Sequence, residues 1–106
     1  MDSTLFSSKR VDTLKNIFTK NKIIFAGVFG SYAKGTATRS SDVDLLIRFN
    51  PKSRKTLFDL VAIRRQVRSV LKTDVDLVTF ESLNKYIKDE VINTVKIIYG
   101  KRQSIS

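Results

Sequence analysis

The chain has 106 residues, 20 of them Lys or Arg against 10 Asp or Glu, for a net charge of +10, and 42% are apolar. That length fits one small domain, 1–106, with a modest core and little room for a second substrate-binding lobe. Cysteine and histidine are both absent, which excludes disulfides, thiolate sites and histidine bases and leaves only oxygen ligands for a metal, a set that suits Mg²⁺ or Mn²⁺.

Residues 1–6 read as a frayed end with no signal-peptide pattern. From Ser8 to Lys20, Val11, Leu14 and Phe18 recur at helical spacing, which predicts an amphipathic helix ended by Asn21-Lys22. Lys22 to Phe29 is rich in Ile, Val and Phe and reads as a buried strand. It contains the longest apolar run, Ile23 to Phe29, which is far too short to span a bilayer. A cytoplasmic protein without membrane contact is expected. Gly30-Ser31 follows at once. Ser31 is a good N-cap, so a short helix is expected over Tyr32 to Lys34, ended by Gly35. A helix start directly after a strand offers free N–H groups to an anion. Thr36 to Ser41 is a polar loop and Asp42 to Phe49 a second strand. Asn50-Pro51 breaks it, and Lys52 to Lys55 is a basic loop.

Thr56 to Leu71 is the longest predicted helix, with Leu60, Ile63, Val67, Val70 and Leu71 on its apolar face. Arg64, Arg65, Arg68 and Lys72 lie on another face, which either stays solvated or binds RNA or an acidic partner. Asp74 to Thr79 is a third strand. Glu81 to Ile92 is a helix, with Leu83, Tyr86, Ile87 and Val91 expected inward. Val95 to Tyr99 is a last short strand, and 101–106 reads as a flexible tail. The order predicts an α/β (α+β) domain in which helices pack a small mixed sheet.

Asp42 and Asp44 lie two apart on a strand, so their side chains share a face. Two carboxylates held that close repel each other unless a cation sits between them, and Mg²⁺ resolves the conflict. In two-metal sites the ions stand roughly 3.5–4 Å apart and clamp attacking and leaving oxygens. Asp76, in Val75-Asp76-Leu77, is the natural third carboxylate. Asp74 reads instead as a turn residue that opens the strand. Each feature alone is weak, since Asp-x-Asp also marks exposed strands and Gly-Ser also marks ordinary turns. Their ordered combination is much more specific.

At these residues the chain resembles the nucleotidyltransferase superfamily of DNA polymerase beta type, and within it the minimal nucleotidyltransferases (MNT proteins). The MNT pattern Gly-Ser-x-Ala-x-Gly, then Ser-Asp-x-Asp-Leu, is met by Gly30, Ser31, Ala33, Gly35, Ser41, Asp42, Asp44 and Leu45. The resemblance covers nearly the whole chain and implies a polymerase beta-like fold. It implies that Asp42 and Asp44 bind two Mg²⁺ ions, and that Asp76 joins one of them and helps deprotonate an attacking hydroxyl. Gly30 and Ser31 would hold the β- and γ-phosphates of ATP. Ser41 completes that nucleotide set, with Lys34 and Arg39 as electrostatic support or plain surface charge. It further implies an antitoxin that adds AMP to a tyrosine of a partner HEPN toxin. Two alternatives stay open: a non-catalytic module that neutralises a toxin or holds RNA by contact, and transfer to RNA or a small molecule. Tyr32 is expected to pack the short helix, and Tyr86 and Tyr99 to be core or half-buried.

Overall fold

The computed structural model describes residues 5–38 and 41–105. The first helix, α1 (Ser8–Lys20), starts where the Ser7 hydroxyl accepts the Arg10 N–H, and it buries Leu14 and Phe18. Strand β1 (Ile23–Phe29) is buried along most of its length. It runs into the one-turn helix α2 (Ser31–Lys34). Strand β2 (Val43–Phe49) follows the polar loop. Helix α3 (Leu57–Leu71) opens with a reciprocal cap, in which Thr56 Oγ1 accepts the Asp59 N–H and the Asp59 carboxylate accepts the Thr56 N–H. The Thr56 N–H and the Thr56 hydroxyl both donate to the Asp59 carboxylate and hold it below its ordinary range. Strand β3 (Val75–Thr79) leads through a 3₁₀ turn (Phe80–Ser82) to helix α4 (Lys85–Thr94) and strand β4 (Lys96–Tyr99).

The sheet order is β3-β2-β1-β4. β1 pairs antiparallel with β2 and β4, whereas β2 and β3 are parallel, joined by α3 as the crossover. The small mixed sheet expected from the sequence is therefore present, with helices on both faces. Strand alternation divides the core in two. On one face Val28, Val43, Leu45, Ile47 and Val75 pack against α1 and α3. On the other, Phe25 and Leu46 pack against Phe80, Val91 and Val95. Gly27 permits that second packing, because a Cβ there would collide with Val95 Cγ2.

Both chain ends depart from expectation. Leu5 is buried in the first core cluster, so the frayed end does not reach that far; residues 1–4 lie outside the described set. The tail expected to be flexible instead forms a 3₁₀ turn (Arg102–Ser104) and inserts Ile105 beside Phe25 and Leu46. Arg48 fixes it, donating to the Ser104 carbonyl while its guanidinium lies 4.9 Å from the Phe80 ring centroid and its Nε donates to Glu81 at 3.0 Å. Ile105→Ala is expected to cost about 2–5 kcal/mol, the range for truncating a fully packed aliphatic residue. Urea unfolding checks this, and an unchanged midpoint would show that the tail is dispensable.

The predicted helix over Glu81–Ile92 is also corrected. Its first turn is 3₁₀, and α4 begins only after Asn84, whose side chain accepts the Ile87 N–H at 2.9 Å. Leu83 falls outside α4, and within the helix the stripe turned to the core is Val91 and Ile92, followed by Val95. Val91 is buried as expected, but Tyr86 is 88% exposed and Ile87 is on the surface. Among the described residues no helix is long and apolar enough to cross a membrane.

Candidate active site

The turn after β1 is set by Gly30. It has φ 72° and ψ −145°, a conformation that in practice needs glycine. A Cβ at this position would also collide with Asp44 Oδ2. Both constraints have one origin: the chain bends tightly over the Asp44 carboxylate. Gly30, not Ser31, is thus the N-cap of α2, and Ser31 is its first helical residue. The N–H groups of that first turn have no intrahelical acceptor. Gly35 ends the helix in the left-handed conformation, as its sequence position suggested.

Asp44 sits in β2 between two neighbours. Phe29 is its partner on β1, and Asp76 is its partner on β3. Adjacent strands stand about 4.8 Å apart, so the Asp44 and Asp76 carboxylates are side by side. Both lie on the sheet face that carries Leu46, away from α1 and α3. Asp44 is half-buried, whereas Asp42 and Asp76 are exposed. Burial raises the Asp44 carboxyl above its ordinary range, and the charges of Asp76 and then Asp42 raise it further. The charges of the other two predicted carboxylates are therefore felt at Asp44. The repulsion and the all-oxygen donor set are what a hard divalent cation would relieve. Among the described residues no three such side chains are drawn close enough to form a ready-made ion cage. Asp74 stays apart, paired with Arg68 at 3.0 Å, consistent with its reading as a strand opener.

The remaining predicted residues divide. Ser41 is used inside the loop: its Oγ accepts the Thr38 N–H at 2.8 Å, and its carbonyl accepts the Tyr32 hydroxyl at 3.4 Å. Tyr32 packs against the first core cluster, as expected. Lys34 reaches across to Glu90 of α4 at 3.3 Å. Arg39 lies outside the described residues. Sequence reasoning missed the part played by α4. A cavity of about 210 Å³ opens beside Gly30, walled by Phe29, Ile87 and Val91 and rimmed by Lys34 and Glu90. Nothing local to Ile87 or Glu90 announces that placement, since it follows from β4 docking on β1. A larger groove of about 680 Å³, between α1 and α3, contains none of the carboxylates.

The Methanocaldococcus jannaschii protein MJ0435, provisionally named a protein adenylyltransferase, is 35% identical over 77 residues, covering 73% of this chain and 81% of that protein. Protein adenylyltransferase MntA of Shewanella oneidensis is 29% identical over 101 residues, covering 93% of this chain and 68% of MntA. Among solved structures, a toxin–antitoxin crystallised with AMP-PNP superposes with a TM-score of 0.73 at 25% identity, over 90% of this chain and 77% of that one. The family model described as polymerase beta, nucleotidyltransferase matches residues 12–104. That span takes in the Gly30 turn, both strands of the carboxylate pair and the α4 wall, and the chain belongs to the polymerase beta nucleotidyltransferase family.

Proposed function

We propose that this protein is a magnesium-dependent adenylyltransferase that moves AMP from ATP to a hydroxyl, a tyrosine of a partner HEPN toxin, and so acts as its antitoxin. The observation that carries this reading is the pairing of Asp44 with Asp76 directly beneath the Gly30 turn. Asp42, Asp44 and Asp76 would hold two Mg²⁺ ions; the exposed Asp42 and Asp76 side chains have room to turn toward a cation. When bound, the ions supply charge neutralisation at the α-phosphate and lower the pKa of the attacking hydroxyl.

The chain's own residues orient the reactants. First-turn N–H groups at Gly30 and Ser31 would face the β- and γ-phosphates, with Lys34 adding positive charge beside them. Ser41 would act indirectly, by fixing the loop that delivers Asp42. The acceptor oxygen forms a bond to the α-phosphorus as the bond to the bridging oxygen of pyrophosphate breaks. The hydroxyl proton passes to Asp76 or, through it, to solvent. Catalysis here is positioning and electrostatics rather than covalent chemistry. The toxin–antitoxin neighbour crystallised with AMP-PNP supports both the nucleotide and the partner class. The reading places the protein in the cytoplasm, with its ATP supply.

The test mixes the purified protein with Mg²⁺, each α-labelled NTP in turn, and the product of the neighbouring gene, which this reading expects to be a HEPN protein. Label from ATP on a HEPN tyrosine is the expected result. Tight binding of the HEPN protein with no label on protein or RNA would instead favour neutralisation by contact. The charge of +10 supports that second reading, which predicts binding that falls steeply with salt.

A further inference from the structure

Helix α3 carries an exposed surface outside both core clusters and outside the carboxylate site. Leu57 is 75% exposed, Phe58 86% and Val61 48%. At helical spacing Leu57, Val61, Arg64 and Arg68 form one continuous stripe, with Phe58 and Arg65 beside it and Lys72 at the left-handed C-cap that ends the helix. The ridge is apolar in its first turns and cationic in its last, and runs about 22 Å. Its two ends differ in what they touch. Arg64 Nε donates to the Val75 carbonyl at 2.7 Å and Arg68 pairs with Asp74, so the cationic end is fastened to the strand that carries Asp76. Arg65 and Lys72 have no carboxylate partner among the described residues.

We propose that this ridge is the docking surface for the acceptor protein, an inference that rests on the transferase reading above. The occupant it fits is a protein surface with an apolar centre, to cover Leu57, Phe58 and Val61, and carboxylates opposite Arg65 and Lys72. Charge complementarity favours such a partner on a chain of net charge +10. A nucleic acid would stack on Phe58 but gain little from aliphatic Leu57 and Val61, so protein is the better fit. The cationic end is fastened to β3, the edge strand that carries Asp76; α3 and the carboxylates lie on opposite faces of the sheet, so a partner seated along the ridge reaches the carboxylates by wrapping around the β3 edge.

The experiment measures binding of the HEPN protein by calorimetry, and its KM as acceptor, for wild type, Phe58→Asp and Arg65→Glu/Lys72→Glu. Phe58 is exposed, so the melting temperature should stay unchanged and report an intact fold. Phe58→Asp is expected to weaken association about tenfold or more, the scale of losing an interface anchor, and to raise the acceptor KM with ATP affinity unchanged. The charge reversal is expected to weaken association and flatten its salt dependence. Binding within about twofold of wild type in both variants would overturn the proposal. So would failure of the wild type to bind the HEPN protein. So would a Phe58-dependent homodimer, or Phe58-dependent RNA binding, with HEPN affinity intact. If the HEPN protein binds through the ridge but receives no label, the docking surface stands and the transferase reading falls.

Discussion

Asp42→Asn/Asp44→Asn protein should fold, melt slightly above the wild type, and transfer AMP at least about 10²–10³-fold more slowly, the scale at which one preorganised electrostatic group contributes. The activity loss follows from removing two of the three carboxylates that would hold the metal ions. The stability gain follows from the Asp44 pKa. Burial, Asp76 and Asp42 all raise it, so the folded state binds the proton more readily than the unfolded chain, and ionisation opposes folding. The stabilising effect of protonation is complete below the ordinary value of 3.8 and is lost as pH rises through the higher folded value. At neutral pH the wild type bears that whole cost, and asparagine removes it. Solvent screening of the half-exposed carboxylate keeps the gain small. Asp59 titrates in the opposite sense, but it is common to both proteins. The difference between the two melting curves should therefore widen from acid to neutral pH and then level. Full transfer by the double variant would refute the metal site. A lower melting temperature at neutral pH would mean that Asp44 is stabilised by contacts other than those described.

Gly30→Ala should be nearly as damaging to activity, for a steric reason. The added methyl enters a backbone conformation that L-residues avoid and meets the Asp44 carboxylate. Either the turn opens or Asp44 is pushed aside. Strain of this kind costs about 1–3 kcal/mol, which lowers the melting temperature by roughly 4–8 °C per kcal/mol in a domain near this size. Displacement by even about 1 Å at a positioning group costs on the order of 10²-fold in rate. Gly35→Ala is the control. Gly35 also has positive φ, but a Cβ there meets nothing within 4 Å, so it should lose stability with little loss of rate. Equal rate losses in both variants would show that helix α2, rather than the contact with Asp44, is what Gly30 protects.

Much of this geometry was readable from local pattern. Alternation along Val43-Asp44-Leu45 and Val75-Asp76-Leu77 fixes which residues share a side within each strand, and the parallel register of Asp44 with Asp76 brings the two carboxylates to one face. The Thr56 cap and the Ile63, Val67 and Leu71 stripe likewise located α3 to within a residue. What was missed depends on distant partners. Ile105 is one apolar residue in a polar tail and has no period to detect; Phe25 and Leu46 bury it. Tyr86 is exposed because the sheet selects which stripe of α4 it covers, and that choice is not written in the helix's own sequence. Spacing alone fits two stripes, Leu83-Tyr86-Ile87-Val91 or Val91-Ile92-Val95, and the second is the one that docks on Phe25 and Leu46. The charge of Lys34 is evident in the sequence, but its ion pair with Glu90 exists only because α4 returns beside the end of β1.

A slip of one residue between β2 and β3 would turn every side chain of one strand to the opposite side of the sheet. Asp76 would then point into the space now filled by Val75 and Leu77, among Ile63, Val67 and Leu71. Burying an unpaired carboxylate there is so unfavourable that the slipped arrangement is rejected. The apolar residues behind the sheet therefore act as a proofreader for the acidic residues in front of it. Val43 with Val75 and Leu45 with Leu77 touch no substrate, yet they are what makes Asp44 meet Asp76 and no other residue.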